Sequence, residues 1–190
     1  MKRLMMGSTA AIMLAAPATA NEIADAMEDF YNSEVAGWST NQLLVDAIVA
    51  QNAETAGYVQ SDIDAMDQTW RAEVGQAVTP TISPVLENPA SEFLRQQVEA
   101  YGGQITEVFI MDARGLNVAA SDVTSDFWQG DEAKHAETFV LGPGSVHMSE
   151  IELDESTQRY QGQISFTMVD PSSGQAVGAI TVGVDADALM

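Results

Sequence analysis

The sequence predicts an α+β fold, helices first and an antiparallel sheet after them, and three observations carry the prediction. From residue 39 to 103, apolar side chains recur at helical spacing between recognisable caps. After Gly103 the period becomes alternating, in runs rich in β-branched and aromatic residues. The later runs are joined by links too short for a parallel crossover, so neighbouring strands pair antiparallel.

The first segment reads as an address. Lys2 and Arg3, the apolar stretch from Leu4 to Ala16 and the small-x-small site Ala18-Thr19-Ala20 form a secretory signal peptide, residues 1–20. That stretch is shorter than the roughly 20 apolar residues that cross a bilayer. The expected mature chain, residues 21–190, is periplasmic, and with no later apolar stretch of spanning length it is not an integral membrane protein.

Residues 21–103 form the helical part. Ser39 with Gln42 reads as a capping box ahead of the stripe Leu43, Leu44, Ala47 and Ile48, with Gly57 as the stop. Ser61 with Asp64 starts a second helix, whose Ile63, Met66, Trp70 and Val74 share a face. Val78 to Pro84 reads as a connector, because its two prolines oppose helix. Asn88 as cap and Pro89 at the first helical position open a third helix carrying Phe93, Leu94, Val98 and Tyr101, which closes at Gly102-Gly103.

Residues 104–190 form the sheet. Ile105 to Met111 and Leu116 to Ala120 make a hairpin about Asp112-Ala113-Arg114-Gly115. A polar excursion, residues 121–139, follows, ending in a short helix from Gly130 to Phe139 that Gly142-Pro143-Gly144 terminates. Strands at Val146 to Leu153, Gln158 to Val169 and Ala176 to Val184 complete a five-stranded meander interrupted once. Interruptions of that length usually house function.

Composition removes several function classes. With 28 acidic against 7 basic side chains and a net charge of −21, the chain lacks the basic patches that nucleic acid or anionic lipid requires. It has no cysteine, which excludes disulfides, thiolate metal sites and a thiol nucleophile. No Gly-x-Ser-x-Gly elbow, phosphate-cradling loop or His-Glu-x-x-His helix is present, so the chain is read as no enzyme and no cofactor is expected. A metal-dependent enzyme built on Asp131 and His135, with Glu132 or Asp126, is the weaker alternative, since the chain holds only two histidines.

Four segments carry a resemblance. Val108-Phe109-Ile110-Met111-Asp112-Ala113-Arg114-Gly115 with its returning strand, Ser125-Asp126-Phe127-Trp128-Gln129-Gly130-Asp131-Glu132-Ala133-Lys134, Asp170-Pro171-Ser172-Ser173-Gly174 and Val177 to Val184 together resemble an extracytoplasmic Cache sensor domain. The similarity is to the stand-alone, single-Cache (PAS-like, PDC) members, and it covers roughly residues 40 to 189. It implies a long N-terminal helix along one face of a five-stranded antiparallel sheet, and on the other face a small-molecule pocket roofed by the excursion. It also implies recognition of organic acids, amino acids or amines and signalling to a kinase or chemoreceptor. The amino-acid pattern of that family is not met: no Arg lies between Arg114 and Arg159, and Gly183 stands where a last-strand Asp would. No spanning segment or output module follows Met190, so signalling is expected to need a partner.

The residues expected at the pocket are Phe127, Trp128, Asp131, Lys134, Gln163 and Ser165. Phe127 and Trp128 are flat apolar surfaces in a polar loop, the kind that lines concave sites. Lys134, the sole lysine after residue 20, either holds an anionic ligand or pairs with Asp131 or Glu137 at helical spacing. Asp131 either caps the following helix or touches ligand. Gln161, Gln163, Ser165 and Thr167 share one face of their strand and are read as the pocket floor, with Tyr160 on the core side. The expected function is a periplasmic domain that binds a small polar or anionic metabolite and presents it to a membrane sensor kinase, chemoreceptor or transporter. A protein-interaction module with a vestigial pocket is the alternative.

Overall fold

The structure, a computed structural model, describes residues 20–190. The expected signal peptide lies outside the described residues apart from Ala20, which opens the first helix. Helix α1 (Ala20–Phe30) continues through a π-helical turn, Tyr31–Val35, into 3₁₀ turns at Ala36–Thr40. Asn41 then turns extended and caps α2 (Gln42–Thr55), its side-chain oxygen accepting from the Leu44 N–H at 3.3 Å. The expected cap, Ser39, still lies within the preceding turns and donates its hydroxyl to the Ala36 carbonyl at 2.8 Å.

Helix α3 (Gln60–Glu73) begins just ahead of the expected Ser61–Asp64 pair, because Asp62 reaches back to the Val59 N–H at 3.0 Å. The expected connector holds a short helix, α4 (Ile82–Leu86). Pro84 is tolerated there, since N–H groups of a first turn have no intrahelical partner to lose. Glu73 supplies the cap that Thr81 does not, its carboxylate accepting from the Thr81 and Ile82 N–H groups at 2.8 and 3.0 Å. Helix α5 (Pro89–Ala100) starts as its sequence predicts, with Asn88 accepting from the Ser91 N–H at 2.9 Å.

Six antiparallel strands follow: β1 (Ile105–Met111), β2 (Asn117–Ala120), β3 (Val146–Met148), β4 (Glu152–Leu153), β5 (Tyr160–Val169) and β6 (Ala176–Asp185). Their order is β2-β1-β6-β5-β3, with β4 also on β5, so the last strand lies at the centre beside the first. The strand expected from Val146 to Leu153 is split because Ser149 interposes its hydroxyl, which accepts from the Gln163 N–H at 2.9 Å.

One face of the sheet is apolar and the other is not. Val108, Ile110, Ile164, Phe166, Met168, Ile180, Val182 and Val184 pack beneath Met27, Val35, Leu44, Val45, Ile48 and Leu94. Each such fully buried side chain stabilises the fold by about 1.5–3 kcal/mol over its exposed state. The opposite face carries Phe109, Met111, Ala179, Thr181 and the row Gln161, Gln163, Ser165 and Thr167. Tyr160, expected on the core side, is 64% exposed. It opens β5 opposite the exposed Leu153 of β4, and only the next residues on its face, Gly162 and Ile164, are buried. Among the described residues no helix is long and apolar enough to cross a membrane.

Candidate functional site

The β1–β2 hairpin sets the excursion in place. Asp112 accepts from the Arg114 and Leu116 N–H groups at 2.8 and 3.0 Å, which fixes the turn, and Gly115 adopts φ +80°, open to glycine without strain. The excursion docks on this turn so closely that a Cβ on Gly115 would stand 2.4 Å from the Gly130 Cα. Trp128 spans the junction, its indole N–H donating to the Arg114 carbonyl at 2.8 Å.

Helix α3 holds the other side of the excursion. One carboxylate oxygen of Asp67 accepts from both the Phe127 and Trp128 N–H groups, at 2.9 and 3.1 Å. Arg71 bridges Asp67 (2.7 Å) and Asp126 (3.0 Å). The Phe127 ring stacks on Trp70 with centroids 5.2 Å apart, and the Trp70 indole donates to the Thr124 carbonyl at 2.9 Å. The excursion is thus anchored by a second small core of Ile63, Trp70, Ile82, Val85, Leu116 and Phe127.

Beyond that anchor the chain crosses the polar face of the sheet. The helix expected from Gly130 to Phe139 is the four-residue α6 (Ala133–Ala136), followed by turns. Lys134 points inward: its Nζ lies 5.5 Å from the centre of the Phe109 ring, 2.9 Å from the Glu132 carboxylate and 3.2 Å from Gln129 Oε1. The helically spaced Asp131 and Glu137 are not its partners, because the side chain folds back over the sheet.

Between the excursion and the β3–β5 segment lies a half-open hollow of about 320 Å³. Ser125, Asp126, Glu132 and Lys134 line one wall, Ser149 and residues 152–155 the other, and Gln161 and Gln163 the floor. Glu107 of β1 lies under that floor, 5% exposed. Its Oε1 accepts from Gln161 Nε2 at 2.6 Å and Gln163 Nε2 at 3.2 Å, and its Oε2 lies 3.2 Å from the Ser156 hydroxyl oxygen, whose proton goes to Asp154 at 2.6 Å. These amides reach across β6 because Gly183 stands between them: a Cβ there would lie 2.9 Å from Glu107 Cγ and 3.0 Å from Gln161 Nε2.

Burial, and then the neighbouring Asp154, push the Glu107 carboxyl above the usual range. Burial and Glu132 also raise Asp126, with Arg71 and Lys134 opposing. Burial would raise Asp154 too, but hydrogen bonds from Ser156 and Thr157 outweigh it and hold that carboxyl low.

The structure brings two of the expected site residues, Lys134 and Gln163, to the hollow. Phe127 is 4% exposed in the small core against Trp70, and Trp128 covers the hairpin; neither lines the hollow. Asp131 is exposed at the head of the excursion; Glu132, the residue before α6, pairs with Lys134 and leaves the helix without a side-chain cap. Ser165 is fully buried and shares a hydrogen bond with Thr181 at 2.9 Å. His135 is buried against the Asp112 carbonyl at 3.2 Å, and among the described residues no three His, Cys, Asp or Glu side chains are arranged to hold a metal.

Glu107, Glu152, Asp154 and Glu155 were not singled out by the sequence. The signal for Glu107 was the polar row of β5, since a buried row of amides and hydroxyls requires partners on the neighbouring strands.

No family model matches the chain, and no curated protein matches it. Solved structures do. The ligand-binding domain of a Campylobacter jejuni chemoreceptor in complex with L-valine is 10% identical, with a TM-score of 0.44 over 90% of this chain and 66% of its own. The sensor domain of a V. cholerae histidine kinase is 14% identical, with a TM-score of 0.40 over 89% of this chain and 57% of its own. The ligand-binding domain of a Pseudomonas fluorescens chemoreceptor in complex with L-alanine is 13% identical, with a TM-score of 0.41 over 86% and 61%. The chain spans less than two thirds of each of these structures. They are sensor and ligand-binding domains of chemoreceptors and a histidine kinase.

Proposed function

We propose that the chain is an exported small-molecule-binding sensor domain of the periplasm. It holds a small polar metabolite between the excursion and the sheet and presents the bound state to a membrane sensor kinase, chemoreceptor or transporter. The observation that carries this reading is the hollow itself: a concave site whose floor amides are fixed by a carboxylate beneath them, with Lys134 and Asp126 turned into its wall. Concave sites with a few oriented polar groups are where small ligands bind. Polar rows on a sheet are otherwise buried against a second layer, as Ser165 and Thr167 are, or left to solvent.

Lys134 is already held by Glu132, so the anionic ligand expected of a free ammonium is not carried into this reading. The test is thermal unfolding of the protein against panels of amines, amino acids, organic acids, nucleobases and sugars. Stabilisation by one class, lost in Gln163→Leu, supports the reading; no stabilisation by any class overturns it.

A further inference from the structure

We infer that Glu107 is the positioning residue that gives the hollow its preference for a ligand bearing an ammonium group, acting through Gln163 and Gln161. This rests on the reading of the hollow as the ligand site.

A carboxyl oxygen that receives two hydrogen bonds dictates which end of each neighbouring amide faces it, and Glu107 Oε1 is such an oxygen. Gln161 and Gln163 both turn their NH₂ groups to Glu107. Their carbonyl oxygens must then point elsewhere. Gln161 Oε1 is taken by the Thr106 and Thr157 hydroxyls. Gln163 Oε1 has no hydrogen-bond partner among the described residues and is left as an open acceptor on a side chain that lines the hollow. A buried residue that the ligand need not touch therefore makes the floor accept hydrogen bonds rather than donate them.

The walls agree in sign. Asp126, Glu132, Glu152, Asp154 and Glu155 line the hollow against one cation, Lys134, which Glu132 and Gln129 already engage. The hydrogen-bond donors that hold Glu107 are neutral, the amides of Gln161 and Gln163. Among the described residues Lys134 is the one cation that acts on this buried carboxyl, and burial outweighs it, so a ligand cation above it offsets the cost of ionising it, whereas an anion would add to that cost. The carboxylates do not converge on one point as a metal requires, so an organic ammonium with dispersed donors is the fitting occupant.

The experiment measures binding of 1,4-diaminobutane, 1,4-butanediol and succinate to the full chain by calorimetry at low salt, for the wild type and for Glu107→Gln. The wild type is expected to prefer the diamine. Glu107→Gln removes the charge and lets the amides turn, so it is expected to weaken the diamine by about tenfold or more, the scale of one charge-assisted hydrogen bond. Diol binding should change little, which a merely structural role for Glu107 would not produce.

Should Glu107→Gln fail to fold, Gln163→Leu removes the open acceptor and is expected to show the same selective loss. A wild type that prefers succinate or the diol overturns the ammonium inference while leaving the hollow as a site. Diamine affinity within twofold of wild type in Glu107→Gln, or in Gln163→Leu where that variant replaces it, also overturns it. Failure of all three probes overturns it as well, and the broader ligand panel then decides separately whether the hollow binds anything.

Discussion

Replacing Phe127 by alanine separates two roles for an aromatic side chain in the excursion. In the structure Phe127 is 4% exposed, stacked on a fully buried Trp70 at 5.2 Å, and it lines no part of the hollow. Deleting a buried phenyl ring costs about 3–5 kcal/mol through lost transfer energy and the cavity left behind. The core around Phe127 is small, with partly buried Tyr58, Met66, Leu86, Val123 and Trp128 at its margin, so it can partly collapse and the lower figure applies. For a chain of this length about 3 kcal/mol lowers the melting temperature by roughly 6–12 °C. Asp67 still holds the backbone at 127 and 128, so the excursion keeps its path. Thermal unfolding by circular dichroism, repeated with any ligand that stabilises the wild type, provides the assay. The variant should melt lower yet keep the ligand-induced increment. An unchanged melting temperature together with loss of that increment would place Phe127 in contact with ligand and refute the packing argument.

Three further outcomes follow from other contacts. Asn88 accepts from the Ser91 N–H and donates to the Pro84, Val85 and Val118 carbonyls, joining α4, α5 and β2. Asn88→Ala should therefore cost about 1–2 kcal/mol, the upper range for a cap, in chemical denaturation. Gly115→Ala combines a strained φ with a Cβ 2.4 Å from Gly130, and should separate the excursion from the hairpin, seen as increased proteolysis between residues 121 and 139. His135 is buried with its Nδ1 unpartnered, and burial lowers its pKa below the ordinary value of 6.5 despite its contact with Asp112. The unfolded chain then binds the extra proton, so this contribution to stability is present above pH 6.5 and is lost as the pH falls through the lowered folded value. The slope is at most about 1.4 kcal/mol per pH unit, and it should flatten in His135→Gln.

Much of the scaffold was legible because its chemistry is local. Asn88-Pro89 names a helix start, Asp112 and Gly115 name a turn, and the alternation along β5 sorts its faces, since each rule acts over a few residues. The cap of α2 moved from Ser39 to Asn41 because the turns from Tyr31 to Thr40 extend the first helix further than any pattern in the sequence indicates. The site was less legible because its contacts are remote in sequence. Phe127 in a polar loop suggests a pocket wall, and only its contact with Trp70, from a helix far upstream, shows that it is core. Glu107 follows Thr106 in a strand whose other residues are apolar, and the register shift between Ile105 and Glu107 sends Ile105 to the core while Glu107 keeps the face of Phe109 and Met111, toward the amides of β5. Asp154 and Glu155 lie in a turn, and nothing local in the sequence shows that this turn overhangs the sheet.

Lys134 gives the most direct probe of whether the excursion roofs a ligand site, since the chain contains only one other lysine, Lys2. Isotope-labelled lysine gives side-chain resonances that Lys134→Arg assigns, and these are followed while 1,4-diaminobutane, or whichever compound stabilises the protein, is titrated in. The Lys134 signals should shift and saturate in step with the thermal stabilisation, because its ammonium lines the wall beside Asp126 and Glu132. Saturable stabilisation with the Lys134 signals unmoved would place the ligand elsewhere, as in the groove between α2 and α4, and would contradict the account.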